Sequence, residues 1–174
     1  HKTYTNKIEE IAISPNGNYS ALVIRGELFI RSTEKDYKKI VNVSKSAYRD
    51  RMPSWLNDST LVFVSDRDGQ NDLYLLKSDD IKQSNLLKTL KYKTVRLTRT
   101  LKNESDPIVS PNGKSVAYTL GRGELIVADI DENGKLSKET TLLDGWATPE
   151  NVVWSPDSKW LAYSLDDLDF NGEI

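Results

Sequence analysis

The sequence predicts an all-β protein made of four-stranded antiparallel propeller blades that together form an incomplete ring. Three observations support this prediction: a hairpin plan that recurs four times, a spacing typical of blades, and turn residues at the hairpin tips. The clearest copy is NVVWSPDSKWLAYSLDD, residues 151–167, in which two apolar runs flank the tetrapeptide Ser155–Ser158. Serine and proline at its first two positions favour a type I turn. Two apolar runs joined by such a turn predict a β-hairpin.

Three earlier segments follow the same plan. Ser14–Gly17 and Ser110–Gly113 both read SPNG, which adds the glycine favoured at the fourth turn position. A further copy, residues 54–65, lacks the proline and one turn residue. When the second strands of the four hairpins are aligned, one position is occupied in turn by Leu22, Phe63, Tyr118 and Tyr163. Successive members of this set are 41, 55 and 45 residues apart. These separations are close to the roughly 40–50-residue period of a propeller blade.

The strands of the first blade follow in order along the chain. Glu9–Ser14 alternates polar and apolar residues and is predicted to be the innermost strand. Tyr19–Ile24 and Glu27–Arg31 are predicted as the next two strands, joined by the short turn Arg25-Gly26. Lys38–Val43 also alternates, which suits an outermost strand with one solvated face.

The second blade is predicted to begin after the charged loop Tyr48–Arg51. Its first strand contains Pro53, and the third blade has Pro107 at the same distance before the turn. Proline lacks an amide donor, so it is tolerated on an edge strand such as the innermost strand of a blade. Asp72–Leu76 and Thr94–Thr98 are predicted as the two outer strands.

An insertion rich in Lys, Ser and Leu, residues 78–93, separates these outer strands. Its apolar residues have some helical spacing, so we expect a short amphipathic segment on the rim of the propeller. Tryptophans are the other large apolar residues with a predicted place. Trp55 and Trp154 occupy matching positions at the ends of first strands, and Trp160 lies beside the start of a second strand. We expect all three to pack between blades.

The third blade is predicted from four segments: Asp106–Ser110, Ser115–Leu120, Glu124–Ile130 and Glu139–Leu143. The fourth begins near Glu150, and its third strand is only starting at Ile174. The predicted organisation is therefore a partial propeller over residues 1–174, with blades at 8–43, 51–98, 105–143 and a truncated one at 147–174. Such a segment exposes edge strands and apolar faces, so we expect further blades in the parent protein, or an oligomer.

Composition restricts the function. The chain has 174 residues, 37% of them apolar and 29% charged, with a formal net charge of −2. A near-neutral balance argues against a nucleic-acid groove, and no apolar run approaches the roughly 18–20 residues of a membrane span. The absence of cysteine excludes disulfides, thiolate chemistry and Cys-type zinc sites. The compartment stays open, since both an exported bacterial protein and a cytoplasmic one fit.

The sequence contains no residue pattern typical of catalysis or of cofactor binding. The single histidine is His1, which is expected to lie at a frayed terminus, so no base can be matched to a serine nucleophile. No cofactor motif is present. Residues 129–134 and 167–172 match the first six positions of a calcium-binding EF-hand loop. Position twelve needs a glutamate, but the first candidate has Thr140 there and the second runs past Ile174 before reaching it. Both are predicted to be turns without a metal.

At this point a family resemblance becomes specific. The strings VVWSPDSKWLAYS and IEEIAISPNGNYSALVIRGELFI, with SDRDGQNDLYLL and GRGELIVADI between them, resemble the propeller repeats of tricorn proteases. Arg25-Gly26-Glu27 directly after the second strand resembles the opening blade of that family's second, larger propeller. The hairpin motif alone is shared with TolB-type and WD-repeat propellers and with the propellers of prolyl-oligopeptidase relatives.

The resemblance implies a non-catalytic segment of a serine peptidase. In tricorn proteases the propellers filter or dock peptides for a separate catalytic module, which includes a PDZ-like domain and would lie outside this chain. Peptides or unfolded polypeptide, the remaining blades and that module are the implied partners. Two alternatives stay open. One is a stand-alone TolB or WD-repeat-type interaction propeller, and the other is the gating propeller of a prolyl-oligopeptidase-type hydrolase.

Candidate substrate-binding residues follow from the blade plan. Turns between second and third strands share one face of a propeller with the connections that lead to the next blade, and ligands usually bind at such loops. The residues expected to gather on this face are Arg25, Arg49, Arg51, Arg67, Arg122 and Trp146. They could attract the carboxylates of peptides. The alternative is a solvated surface of mixed charge, since acidic residues lie among them.

Overall fold

The structure is a computed structural model that describes residues 7–166 and, for their backbone, residues 172–173. Fifteen strands form four sheets, and no helix occurs among the described residues. Every strand pair is antiparallel and joins neighbours in sequence. Each sheet is therefore a simple meander, and one sheet follows another along the chain.

The first two sheets have four strands each, in sequential order. The first contains β1 (Ile8–Ile13), β2 (Tyr19–Ile24), β3 (Glu27–Ser32) and β4 (Ile40–Asn42). The second contains β5 (Asp50–Asn57), β6 (Thr60–Ser65), β7 (Asp72–Ser78) and β8 (Tyr92–Arg96).

The third sheet also has four strands: β9 (Glu104–Val109), β10 (Ser115–Leu120), β11 (Glu124–Ile130) and β12 (Leu136–Asp144). The fourth has three described strands: β13 (Glu150–Trp154), β14 (Leu161–Asp166) and β15 (Gly172–Glu173). The first strand of each sheet is an edge strand, so Pro53 and Pro107 lie where a missing amide donor breaks no ladder.

The four residues aligned from the sequence point the same way, toward the preceding blade. Phe63 packs against the first sheet in one apolar core, and Tyr118 packs against the second sheet in another. Tyr163 packs against the third sheet beside Leu125. Leu22, the first member of the set, lies on the outer face of the first sheet. The predicted register is confirmed, because a shift of one residue would turn these side chains to the other face.

The hairpin tips have the predicted turn geometry. The amides of Gly17 and Gly113 donate to the carbonyls of Ser14 and Ser110 at 2.8 Å. In each turn the serine hydroxyl donates to the side-chain oxygen of the asparagine at the third turn position. Ser158 occupies the glycine position in the fourth blade with φ of 61°, and its amide donates to Ser155 O at 2.9 Å.

Two of the three tryptophan predictions are confirmed. Trp55 Nε1 donates across the first blade interface to Ala12 O at 3.1 Å, and Trp154 Nε1 donates across the third to Ile108 O at 2.9 Å. The same bond therefore recurs at matching sites. Trp160 was expected to pack between blades as well; its side chain is 74% exposed, so it does not pack between the described blades, and for a face that would meet a further blade the expectation stays a prediction.

The insertion also differs from its prediction. Residues 79–91 form turns and not a helix, because local polar side chains bond to the backbone, as at Asn85, whose Oδ1 accepts from the amide of Leu87. Leu86 and Leu87 are buried in the core of the first interface, whereas Ile81 and Leu90 are exposed. Lys39 Nζ donates to Leu87 O at 2.7 Å. The insertion therefore joins the second blade to the first at the rim.

We predict that alanine at Gly113 destabilises the protein more than alanine at Gly17. Both glycines have positive φ, +68° and +75°, where alanine costs about 1 kcal/mol. A Cβ at Gly113 would also lie 2.7 Å from Leu56 O of the neighbouring blade, whereas nothing lies within 4 Å at Gly17. Chemical denaturation should therefore show a loss of roughly 2 kcal/mol or more for Gly113→Ala. Equal losses for both variants would contradict the close approach of the two blades.

Candidate functional site

A band of loops crosses the same end of all four sheets. It consists of the turns between the second and third strands and the connections that enter the next sheet. We call this band the loop belt, and it comprises residues 25–26, 44–49, 66–71, 97–103, 121–123 and 145–149. It contains five of the six candidate residues; Arg51 lies just outside it, in β5.

Hydrogen bonds connect the first half of the loop belt. The amide of Asp50 donates to Gly26 O at 2.8 Å, and the amide of Arg49 donates to Asp66 Oδ1 at 2.9 Å. A Cβ at Gly26 would lie 3.2 Å from Arg49 Cγ. The connection between the first two blades is therefore held against the turns on both sides of it.

The second half repeats this arrangement. The amide of Glu104 donates to Asn71 O at 2.9 Å, and the amide of Gly121 donates to Asn103 O at 2.8 Å. Gly145 N donates to the carbonyl of Gly123, at 3.1 Å. Because a Cβ at Gly123 would lie 2.0 Å from Gly145 O, only glycine fits there. The loop belt is thus a continuous hydrogen-bonded surface and not a set of separate loops.

Arg25 and Arg49 line one cavity of about 390 Å³ in the loop belt. Tyr48, half exposed, lies between them in the lining, and Glu9 and Asp66 are the acidic residues of the wall. The cavity therefore combines two guanidinium groups, one aromatic ring and two carboxylates. Such a set can pair with carboxylates and pack an apolar side chain.

Arg25 has an unusual backbone. It forms a two-residue turn with Gly26, and both residues have positive φ, 55° and 73°. Two-residue hairpin turns of this kind favour asparagine or glycine, because a larger side chain costs about 1 kcal/mol in the left-handed region. Arg25 shares this feature with Lys45, another exposed residue of the loop belt, whose φ is 44°.

Arg67 was expected on the ligand-binding face, but its side chain forms an ion pair and packs against aromatic rings. Its Nη2 donates to Asp50 Oδ1 at 2.8 Å, and the Asp50 side chain is fully buried. Its guanidinium lies 4.7 to 5.8 Å from the ring centroids of Tyr48, Phe63 and Tyr74. Asp50, predicted to lie in a charged loop, is instead the first residue of β5. The pair forms because the end of β6 lies beside the start of β5.

The remaining candidates lie apart from the cavity. Arg51, also predicted in that loop, is in β5 and partly buried. Arg122 is exposed in the turn of the third blade, where its carbonyl accepts from Thr148 Oγ1 at 2.6 Å. Trp146 is 53% exposed in the connection to the fourth blade. The structure thus brings Arg25 and Arg49 together, and places Arg122 with the loop that contains Trp146.

Sequence reasoning missed an ion cluster in the second blade. Asp72 is buried and accepts from Arg96 Nη2 with both carboxylate oxygens, at 2.9 and 3.0 Å. Asp68 accepts from the hydroxyl of Tyr74 and lies 3.5 Å from Arg96 Nη1. Burial, and then the hydrogen bond to Asp68, raise the pKa of Tyr74. No sequence signal could have paired these residues, since the partners are 24 positions apart on different strands.

Glu104 is a buried carboxyl that forms no ion pair with a described residue, and it occupies the ladder position that Asp50 has in the second blade. Its Oε1 accepts from Thr100 Oγ1 at 2.6 Å, whereas its Oε2 and the nearby Thr119 Oγ1 have no hydrogen-bond partner among the described residues. Burial is the main cause that raises the pKa of Glu104, and the charge of Asp72 raises it further.

The sequence predictions on metal binding, catalysis and membrane spans can be compared with the described residues. Among residues 7–166 no group of three or more potential metal ligands occurs. Residues 131–134 form a turn in which Asp131 Oδ1 accepts from the amides of Asn133 and Lys135. His1 and residues 167–171 lie outside the described residues. No helix long and apolar enough to cross a bilayer occurs in the described part of the chain.

No family model matches the chain, and no curated protein matches it. Solved structures do match. Tricorn protease is similar over 94% of this chain, with a TM-score of 0.61 and 20% identity. TolB from Acinetobacter baumannii is similar over 96%, with a TM-score of 0.70 and 16% identity. The Cps50 (Swd1) β-propeller domain of Myceliophteria thermophila is similar over 95%, with a TM-score of 0.65 and 9% identity.

These similarities establish the fold. The chain is a β-propeller of antiparallel blades that do not close into a ring within the described residues, which confirms the predicted fold class. It spans 15% of the tricorn protease chain, 40% of TolB and 51% of Cps50, less than two thirds of each. Because propellers of three kinds match, the likeness to tricorn protease is not specific.

We predict that loss of Arg67 leaves an uncompensated charge in the core. Arg67→Met should destabilise the protein by about 3 kcal/mol, because a buried carboxylate without its partner is costly. Adding Asp50→Asn should recover at least half of that loss, since the charge itself is removed. Urea denaturation of the two variants would measure this. A double variant no more stable than Arg67→Met alone would contradict a coupled pair.

We predict a pH-dependent effect at Glu104. Since the folded protein holds this proton more tightly than the unfolded chain, Glu104 contributes most below the ordinary glutamate pKa of about 4.3. Its contribution is lost as the pH rises through the raised pKa. Glu104→Gln should therefore gain stability relative to the native protein as the pH increases from 4 to 9. Denaturation midpoints across this range would show it.

Glu132→Gln serves as the matched control, because Glu132 is an exposed residue and its replacement also removes one carboxylate. A difference between Glu104→Gln and the native protein that stays constant with pH would overturn the prediction.

Proposed function

We propose that this chain is a non-catalytic propeller segment of a tricorn-like serine peptidase, which docks or filters peptides for a catalytic module outside the chain. The cavity that Arg25, Tyr48 and Arg49 line is the observation that supports a docking role. The remaining blades and the catalytic module would be its partners within the parent protein.

Three features of the cavity favour a peptide as ligand. Its two arginines can each form paired hydrogen bonds with a carboxylate, which a peptide has at its C-terminus and on acidic side chains. Tyr48 offers an aromatic face for an apolar side chain. The arginines belong to different elements whose backbones are held by hydrogen bonds, so little backbone entropy would be lost on binding.

A stand-alone interaction propeller is the second candidate function. It is kept because TolB and Cps50 match the chain over as much of its length as tricorn protease does. In that case the same face would bind a folded protein and not an extended peptide. The two functions therefore differ in the kind of ligand that Arg25 and Arg49 recognise.

We predict that Arg25→Glu together with Arg49→Glu reverses the charge preference for peptides. Binding of a fluorescein-labelled, glutamate-rich 12-residue peptide should weaken about tenfold or more, because attraction becomes repulsion. Binding of a lysine-rich peptide of the same length should strengthen. Fluorescence anisotropy at two salt concentrations would measure both, and the effect should shrink at high salt.

Lys114→Glu with Lys135→Glu is the matched control. Both lysines are exposed outside the loop belt, and the double change alters net charge by the same amount. An equal effect of this control would reduce the result to overall charge and contradict docking at Arg25 and Arg49. Tight binding of folded proteins with no binding of peptides would instead favour the interaction propeller.

A further inference from the structure

Large apolar side chains are exposed on all three connections of the loop belt. Tyr48 is 50% exposed, Leu101 99% and Trp146 53%. They lie two, three and four residues before the first strand of the next blade. A single exposed apolar residue needs no explanation, but its recurrence at nearly the same place in successive blades does.

Two of the connections are held by polar bonds that do not involve these side chains. The backbone around Leu101 is held by Gln70 Nε2, which donates to the carbonyls of Thr100 and Lys102 at 2.8 and 3.1 Å. Trp146 follows Gly145, whose amide is bonded to Gly123 O. The Tyr48 ring lies 5.8 Å from the Arg67 guanidinium and leaves half of its surface exposed.

The loop belt also has a charge opposite to that of the rest of the protein. Its segments contain seven lysines or arginines and two aspartates, a formal charge of +5. Arg67 and Lys102 are paired with Asp50 and Glu124 just outside it, which leaves an excess of +3, whereas the whole chain has −2. A concentration of one sign on one face attracts partners of the other sign and suppresses wrong ones. The chemistry of the surface is therefore cationic with regularly placed apolar residues.

We propose that the loop belt binds an extended acidic polypeptide whose apolar side chains contact Tyr48, Leu101 and Trp146 on successive blades. This rests on the proposed docking function and names its ligand class. The three residues belong to connections that enter three different sheets, so a small ligand in one cavity would not contact all of them. Leu101 is aliphatic and cannot stack on a base, which favours polypeptide over single-stranded nucleic acid.

The test compares three labelled 18-residue peptides. The first has glutamate and leucine or phenylalanine in a repeating pattern, the second has serine for each apolar residue, and the third has lysine for each glutamate. The native chain should bind the first at least tenfold more tightly than either of the others. Leu101→Ser and Trp146→Ser should each weaken binding of the first peptide about tenfold, as expected for one buried apolar side chain.

Matched controls exist elsewhere on the surface. Ile81 is 104% and Trp160 is 74% exposed, and both lie outside the loop belt. Ile81→Ser and Trp160→Ser should change binding less than twofold. Equal losses in the controls, no loss in Leu101→Ser and Trp146→Ser, or failure of the native chain to bind the first peptide would each overturn the proposal. So would tight binding of oligothymidylate that these peptides cannot displace.

The outcomes separate this inference from the docking function on which it rests. If the serine peptide binds as well as the first peptide and the lysine peptide does not bind, charge docking stands and the apolar contacts are wrong. If the lysine peptide binds as well as the first, docking through arginine fails, although contacts at Leu101 and Trp146 could still be measured.

Discussion

Face-to-face packing of successive sheets is the interaction on which the rest of this structure depends. Each internal blade has apolar residues on both faces of its central strands, so it is buried from two sides. Phe63 and Tyr118 fill two of these interfaces from matching positions. Because side chains alternate along a strand, this packing fixes the register of every ladder. The direction of each connecting loop follows from that register.

The loop belt is a consequence of this packing. Meanders stacked in the same orientation place their turns and connections at one end, where backbone bonds join them into one surface. Beneath it lie buried carboxylates, and the two at matching positions differ. Asp50 has Arg67 as its partner, whereas Glu104 accepts from the Thr100 hydroxyl and has a raised pKa. The same position in two blades therefore holds a buried carboxyl by different means.

The proposed function depends on the surface that the blades share and not on the blades themselves. Propellers of several kinds match this chain at 9–20% identity, which is consistent with one fold serving different partners. On that surface Arg25, Tyr48 and Arg49 line one cavity.

The sequence by itself determined the blades, because turn chemistry and period-two alternation are local and β2, β10 and β11 have the predicted bounds. It also placed Trp55 and Trp154 correctly, since both lie in regular repeats. Only the tertiary structure decided how the candidate arginines divide, with Arg67 in a buried ion pair and Arg25 beside Arg49. Those contacts join residues on different strands, and local sequence contains no information about such distances. The burial of Leu86 and Leu87 against the first blade was missed for the same reason, since that contact also joins distant parts of the chain.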